Sequence, residues 1–210
     1  MDILSHRGYW LAPEEKNTVL AFERSFSEGF GVETDLRDSG RKILVSHDMP
    51  AGDELPIADF LEIYKGYGNP LPLALNVKSD GLQQAMSLLL KQHGISNYFF
   101  FDMSLPDALG YCKNDLSFFT RQSEYEEHPY LYDEADGVWL DEFKGHWITD
   151  ETITAHIRNG KKVCIVSPEL HKRKYMAEWE HYRYIMNKFG LEGVMLCTDY
   201  PAAAKNFFNL

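Results

Sequence analysis

Basic side chains are in the minority in this sequence. Against 32 Asp and Glu stand 21 Lys and Arg, a formal net charge of −11. A chain this acidic lacks the basic patches that a phosphate backbone requires, which excludes nucleic acid as a partner. It also has no long-range attraction to an anionic membrane. Cysteine is scarce: Cys112, Cys164 and Cys197 are odd in number and widely spaced, which excludes a disulfide framework and a zinc cluster. Two of them lie in apolar runs, Val163 to Val166 and Val194 to Cys197, and read as buried thiols in a reducing compartment. No apolar stretch approaches the roughly 20 residues that span a bilayer, so no membrane span is expected. No signal peptide is visible, since Met1-Asp2-Ile3-Leu4 already reads as a strand. The expectation is a soluble, cytoplasmic protein. Internal repeats, low-complexity tracts and an evident domain boundary are missing too.

What is present suits one large domain spanning residues 1–210. The hydrophobic fraction is 44% and the aromatic fraction 14%, enough for a sizeable core. Strands are predicted at Ile3 to Ser5, Gly31 to Arg37, Leu73 to Lys78, Asn97 to Phe101, Leu116 to Thr120, Gly137 to Leu140, Lys162 to Val166 and Gly193 to Cys197. Helices alternate with most of them. Asn17 or Thr18 caps the first helix, Asp150 caps a later one, and Met176 to Phe189 is a helix closed by Gly190. Ser39-Gly40 signals a turn into an extra hairpin strand, Lys42 to Ser46. Gln122 to Tyr132 reads as loop or frayed helix. The later strands are continuous apolar runs, as in a sheet buried on both faces. An open doubly wound sheet and a (β/α)8 barrel compete. The first strand lacks a glycine-rich phosphate loop and the strand count is eight, both of which favour the barrel. Barrel chemistry sits at the C-terminal ends of strands, and His6, Glu33, Asp35, Asn76, Lys78, Asp102, Asp141 and Asp199 all fall at or near such ends.

The chain is organised around Gly31-Val32-Glu33-Thr34-Asp35-Leu36. Apolar and acidic residues alternate there, so Glu33 and Asp35 leave the same face of a strand. Two neighbouring carboxylates repel, and burying them is costly without a positive charge between them. A divalent cation bound by hard oxygens meets that need. The rival reading is a solvated acidic face on an edge strand.

An ordered set of residues resembles the glycerophosphodiester phosphodiesterase family. It comprises His6-Arg7-Gly8, Pro13-Glu14 with Asn17-Thr18, Ala21-Phe22, Glu33-Thr34-Asp35-Leu36, His47-Asp48 and Lys78. At the C-terminus it adds Gly190-Leu191-Glu192-Gly193-Val194 and Thr198-Asp199-Tyr200-Pro201. The resemblance spans both ends and is faint in the middle. It implies a (β/α)8 barrel that hydrolyses phosphodiesters with a divalent metal, Mg²⁺ or Ca²⁺. It implies His6 and His47 as the general acid–base pair, Glu33 and Asp35 as metal ligands, and Arg7 and Lys78 as partners of the phosphate. The implied partner is a small phosphodiester substrate, and the oligomeric state is left open.

Three departures stand out. The family usually carries a glutamate two residues before the lysine, as a third metal ligand; here that position is Asn76, which implies a weakly bound metal. Glu15-Lys16 interrupts the familiar Pro-Glu-Asn-Thr. The usual insertion after the second histidine is reduced to roughly Met49 to Pro72, which implies a more open site or a different substrate. The chemistry is consistent in itself. Phosphodiester cleavage needs a nucleophile in line, charge stabilisation on the phosphoryl oxygens and a proton for the leaving alkoxide. Histidines titrate in the range that serves such proton transfers, and a metal polarises the phosphoryl oxygen. Two rival functions remain open: a lyase that stops at a cyclic phosphate, and a non-catalytic phosphate-binding barrel. Plainer readings also stand for single residues. His6 fits a core histidine, Asn76 a polar cap, Lys78 a snorkelling side chain and Trp139 a core aromatic. His171-Lys172-Arg173-Lys174 reads as a solvated loop, and His93, His128, His146, His156 and His181 carry no pattern.

Overall fold

The computed structural model describes residues 1–40, 42–68 and 71–210. The chain opens with β1 (Asp2–His6). There follow α1 (Val19–Ser27), β2 (Gly31–Ser39), β3 (Lys42–Val45), α2 (Ile57–Gly66), β4 (Leu73–Val77), α3 (Gln83–His93), β5 (Tyr98–Phe101) and α4 (Leu105–Lys113). The second half supplies β6 (Phe119–Gln122), β7 (Gly137–Leu140), α5 (Asp150–Arg158), β8 (Lys162–Val166), α6 (Met176–Phe189), β9 (Val194–Thr198) and α7 (Pro201–Phe208). This alternation is a (β/α)8 barrel fold, with the antiparallel β3 standing outside the parallel set as a hairpin partner of β2. No helix among the described residues is long and apolar enough to cross a membrane.

The chain divides into two compact units, residues 5–118 and residues 1–4 with 119–210. In the first, β2, β4 and β5 run parallel, with Glu33 opposite Ala74, Asp35 opposite Asn76, and Asn76 opposite Phe101. Thr18 caps α1 by accepting from the Ala21 N–H, satisfying one of the free donors at a helix start. Phe22 and Phe26 of α1 pack edge-on against Phe60 and Tyr64 of α2, burying the apolar stripes of both helices. The segment after His47 holds α2; its Asn69 and Pro70 lie outside the described residues. Between β3 and β2 the pairing runs from Ser39–Lys42 to Leu36–Val45, and the Ser46 N–H then bonds the Asp35 carbonyl over 3.0 Å. The hairpin thus returns the chain to the level of Asp35 just before His47.

In the second unit the parallel order is β1, β9, β8, β7, β6. Trp179, Tyr182 and Ile185 of α6 are fully or almost fully buried. Trp179 packs on Phe207 and Phe208 and donates its indole N–H to Ser167 Oγ over 2.8 Å. Two boundaries differ from the sequence expectation. The cap of α5 is Thr149, one residue before Asp150, and β6 begins at Phe119 and extends to Gln122. Cys164 and Cys197 are both buried, as their apolar runs predict.

Candidate functional site

Glu33 and Asp35 lie two residues apart on β2, and their side chains leave one face of the strand. Glu33 is 2% exposed and Asp35 0%, so the pair is not a solvated acidic face. Buried carboxylates need partners to offset their desolvation, and Asp35 has them. Arg7 Nε lies 3.1 Å from its Oδ2 and Lys78 Nζ 3.6 Å from its Oδ1. The Asn17 amide donates to Oδ2 over 3.0 Å. Asn17 is itself fixed: its side-chain carbonyl accepts from Thr34 Oγ1 over 2.9 Å, and its backbone N–H bonds the Arg7 carbonyl. Arg7 and Asn17 both take left-handed backbone, each at φ 59°, and this tight loop points the Arg7 N–H at Glu33.

Glu33 is less well compensated. It accepts from the Arg7 backbone N–H over 3.2 Å and from the Asn76 amide over 3.4 Å, and His6 Nε2 lies 3.9 Å away. Burial, and then the adjacent Asp35 charge, push the Glu33 carboxyl up to about 7; His6, Arg7 and Lys78 pull the other way.

Six of the seven residues singled out from sequence thus form one network: His6, Arg7, Glu33, Asp35, Asn76 and Lys78. His47 stands at its edge. It shares with Arg7, Lys16, Asn17 and Asp48 the lining of an open cleft of about 690 Å³. Its ring bonds Asp48 over 2.8 Å and its carbonyl accepts from Arg37. Among the described residues it makes no hydrogen bond or ion pair to Glu33, Asp35 or Lys78.

The donor set fits a hard divalent cation. Asp35 Oδ1 and Asn76 Oδ1 are both buried without a hydrogen-bond partner, although such atoms are nearly always satisfied in folded proteins. With the Glu33 carboxylate they offer oxygen donors only, from the neighbouring strands β2 and β4, which is what Mg²⁺ or Ca²⁺ takes.

Two features escape sequence reasoning. Asn17, which the sequence offers as an alternative cap of the first helix and as part of the family resemblance, instead orients Asp35, while Thr18 is the cap. In the unit formed by residues 1–4 and 119–210, Glu142, His146 and Glu178 bring ligand atoms within 4.8 Å of one another. They lie 4 and 32 residues apart, a spacing that carries no recognisable motif.

No family model matches the chain, and no curated protein matches it in sequence. Solved structures do. A candidate glycerophosphodiester phosphodiesterase from Galdieria sulphuraria is 18% identical, with a TM-score of 0.77 over 100% of this chain and 98% of that one. An Oleispira antarctica phosphodiesterase, solved with the product sn-glycerol-3-phosphate, is 16% identical, with a TM-score of 0.72 over 100% and 97%. A Ca²⁺-dependent phosphatidylinositol-specific phospholipase C from Streptomyces antibioticus is 11% identical, with a TM-score of 0.60 over 97% and 95%. At these identities the likeness is one of fold.

Proposed function

We propose that this chain is a metal-dependent phosphodiester hydrolase acting on small glycerophosphodiester-like substrates. The observation that carries this reading is the buried Glu33–Asp35 pair, with unsatisfied oxygens on Asp35 and Asn76 and two cationic side chains beside it. Glu33, Asp35 and Asn76 would hold Mg²⁺ or Ca²⁺, which supplies Lewis-acid polarisation of a phosphoryl oxygen. Arg7 and Lys78 are roughly one-fifth exposed and can reach phosphoryl oxygens while still balancing Asp35. An Arg fork suits two such oxygens and Lys a single one.

The proton steps belong to His6 and His47. One imidazole takes the proton of the attacking hydroxyl as the new P–O bond forms. The other gives a proton to the alkoxide oxygen as the old P–O bond breaks. Where the nucleophile is the neighbouring hydroxyl of the substrate, the first product is a cyclic phosphate, and water then opens it with the proton roles reversed. Asp48, bonded to the His47 ring, orients that imidazole.

Support for this reading comes from the fold likeness to phosphodiesterases, one of them bound to a glycerol phosphate product and another dependent on Ca²⁺. A second reading, a phosphate-binding barrel without turnover, is favoured by one observation: Asn76 supplies an amide where a third carboxylate would strengthen the metal site. Turnover of glycerophosphodiesters and of bis(p-nitrophenyl) phosphate, with Mg²⁺, Ca²⁺ or chelator, separates the two. Metal-dependent release of alcohol is expected, and no release with either metal sinks the enzymatic reading. Phosphorus NMR of the products distinguishes a hydrolase from a lyase that stops at the cyclic phosphate.

A further inference from the structure

Two residues interrupt the family-like Pro-Glu-Asn-Thr, and the second of them, Lys16, lines the cleft that Arg7 and His47 share. Pro13–Glu15 form a single 3-10 turn, and the Lys16 N–H closes it on the Pro13 carbonyl over 3.3 Å. Glu15 ties the turn down. Its Oε2 accepts from the Leu11 N–H and from Arg24 Nη1, both over 2.8 Å. The Arg24 hydrogen bond holds the Glu15 carboxyl below its usual range. The acid adjacent to Lys16 in sequence is thus spent on Arg24.

An aromatic ring holds Lys16 instead. Its Nζ stands 4.3 Å from the centre of the Trp10 ring, a cation–π contact. Trp10 is fixed in turn, since its indole N–H donates to the His6 carbonyl over 3.1 Å. Among the described residues the Lys16 ammonium has no hydrogen bond and no ion pair. The other charges lining the cleft differ. Arg7 faces Asp35, His47 and Asp48 bond each other, and Glu54 accepts from the Ala51 and Gly52 N–H groups. Asp53 is exposed, where water and salt screen its charge. Lys16 is half-buried. A half-buried cation that is positioned but not neutralised favours an anionic ligand group. Asn17, next along the chain, donates to Asp35 Oδ2 over 3.0 Å. Lys16 is therefore anchored one residue, about 3.8 Å of backbone, from a residue that touches the carboxylate pair.

We propose that Lys16 is a specificity-determining residue: it binds a second anionic group, phosphate or carboxylate, on the organic part of a diester whose scissile phosphate lies at Arg7 and Lys78. The inference rests on the phosphodiesterase reading above. Under that reading Arg7 and Lys78 serve the phosphate common to every substrate, and Lys16 selects among substrates by the charge of the remainder. Neutral and cationic alcohols leave Lys16 without a partner.

The test is calorimetric titration of the full chain in Mg²⁺ with glycerol 3-phosphate, 3-phosphoglycerate and glycerol 1,3-bisphosphate. All three carry a phosphate on a three-carbon frame, and the last two add a carboxylate or a second phosphate. Both are expected to bind at least about tenfold more tightly than glycerol 3-phosphate, the worth of one charge-assisted bond. A preference confined to one of them supports the assignment and names the anion. Lys16→Gln should abolish the preference and Lys16→Arg should keep most of it, with the far-UV circular dichroism unchanged. Equal affinity for all three ligands in the wild type overturns the role of Lys16. So does a preference that survives in Lys16→Gln, or an equal loss for all three ligands in that variant. Absence of glycerol 3-phosphate binding, with or without Mg²⁺, is a different failure: it sinks the phosphodiesterase reading itself, and the role of Lys16 with it.

Discussion

Asn76 donates its side-chain amide to Glu33 Oε1 over 3.4 Å, while its own carbonyl oxygen is buried without a hydrogen-bond partner. The amide quiets a carboxylate whose pKa burial and Asp35 have raised to about 7. An amide oxygen, however, gives a cation less electrostatic gain than a carboxylate. Asn76→Glu is therefore expected to bind Mg²⁺ or Ca²⁺ about tenfold more tightly by calorimetry. Without metal the same variant should melt at a lower temperature, because a third buried carboxylate joins two others. Equal or weaker affinity in the variant would show that position 76 does not face the metal.

His6 and His47 reach the site by different routes, one through Glu33 and the other across the cleft it shares with Arg7. If they divide the proton transfers, His6→Ala and His47→Ala should each lower diester turnover by at least about 100-fold, the low end for acid–base catalysis. Thermal unfolding should change little, since neither residue belongs to the apolar core. Near wild-type turnover in either variant removes that histidine from the mechanism.

The site was legible where its chemistry is local in the chain. The alternation on β2 announced a shared face for Glu33 and Asp35, and the Ser39-Gly40 turn announced the hairpin that brings back His47. What stayed hidden depends on distant partners. His156 bonds Gln122, 34 residues away, and His146 bonds His181 across 35; no periodicity encodes such pairs. β6 shows a different limit. Leu116 and Phe118 are apolar and read as strand, but Asp115 turns the chain at φ 55° and only an isolated bridge joins Phe118 to Phe100. The regular ladder with β7 begins at Phe119 and runs on through Arg121 and Gln122. Those polar residues are accommodated by Glu126 and His156, which the hydrophobic pattern does not reveal.

His156 should make stability depend on pH. Its Nδ1 contacts the Tyr132 hydroxyl and its Nε2 contacts Gln122 Oε1, both at 2.8 Å, a pattern that a neutral ring satisfies. Burial lowers its pKa below the ordinary imidazole value of about 6.5, so the folded chain binds a proton more weakly than the unfolded chain. The contribution is complete above the unfolded pKa of about 6.5 and is lost as pH falls through it toward the folded value. Urea midpoints at pH 7.5, 6.5 and 5.5 should therefore fall more steeply for the wild type than for His156→Gln. Parallel declines would assign the pH dependence to other groups.

Gly8 holds the loop that carries His6 and Arg7 against α1. Its φ is +83°, and a Cβ there would stand 2.8 Å from Ala21 Cβ and 3.0 Å from the Ala21 carbonyl carbon. Ala21 cannot easily yield, because it is fully buried and its carbonyl accepts from the Tyr9 N–H over 3.0 Å. Left-handed backbone costs an alanine about 1–2 kcal/mol and overpacking adds about 1–3. Gly8→Ala is thus expected to lose about 2–5 kcal/mol in urea unfolding. The loop must also lift from the helix, which moves Arg7 off Asp35 and Glu33, so turnover should fall even at temperatures where the variant is folded. Gly29→Ala is the control: φ is +80° there, but nothing lies within 4 Å of an added Cβ. It should lose only the backbone share, about 1–2 kcal/mol, with turnover unchanged. If the two variants lose equal stability and keep equal turnover, close packing of Gly8 on Ala21 does not position the site.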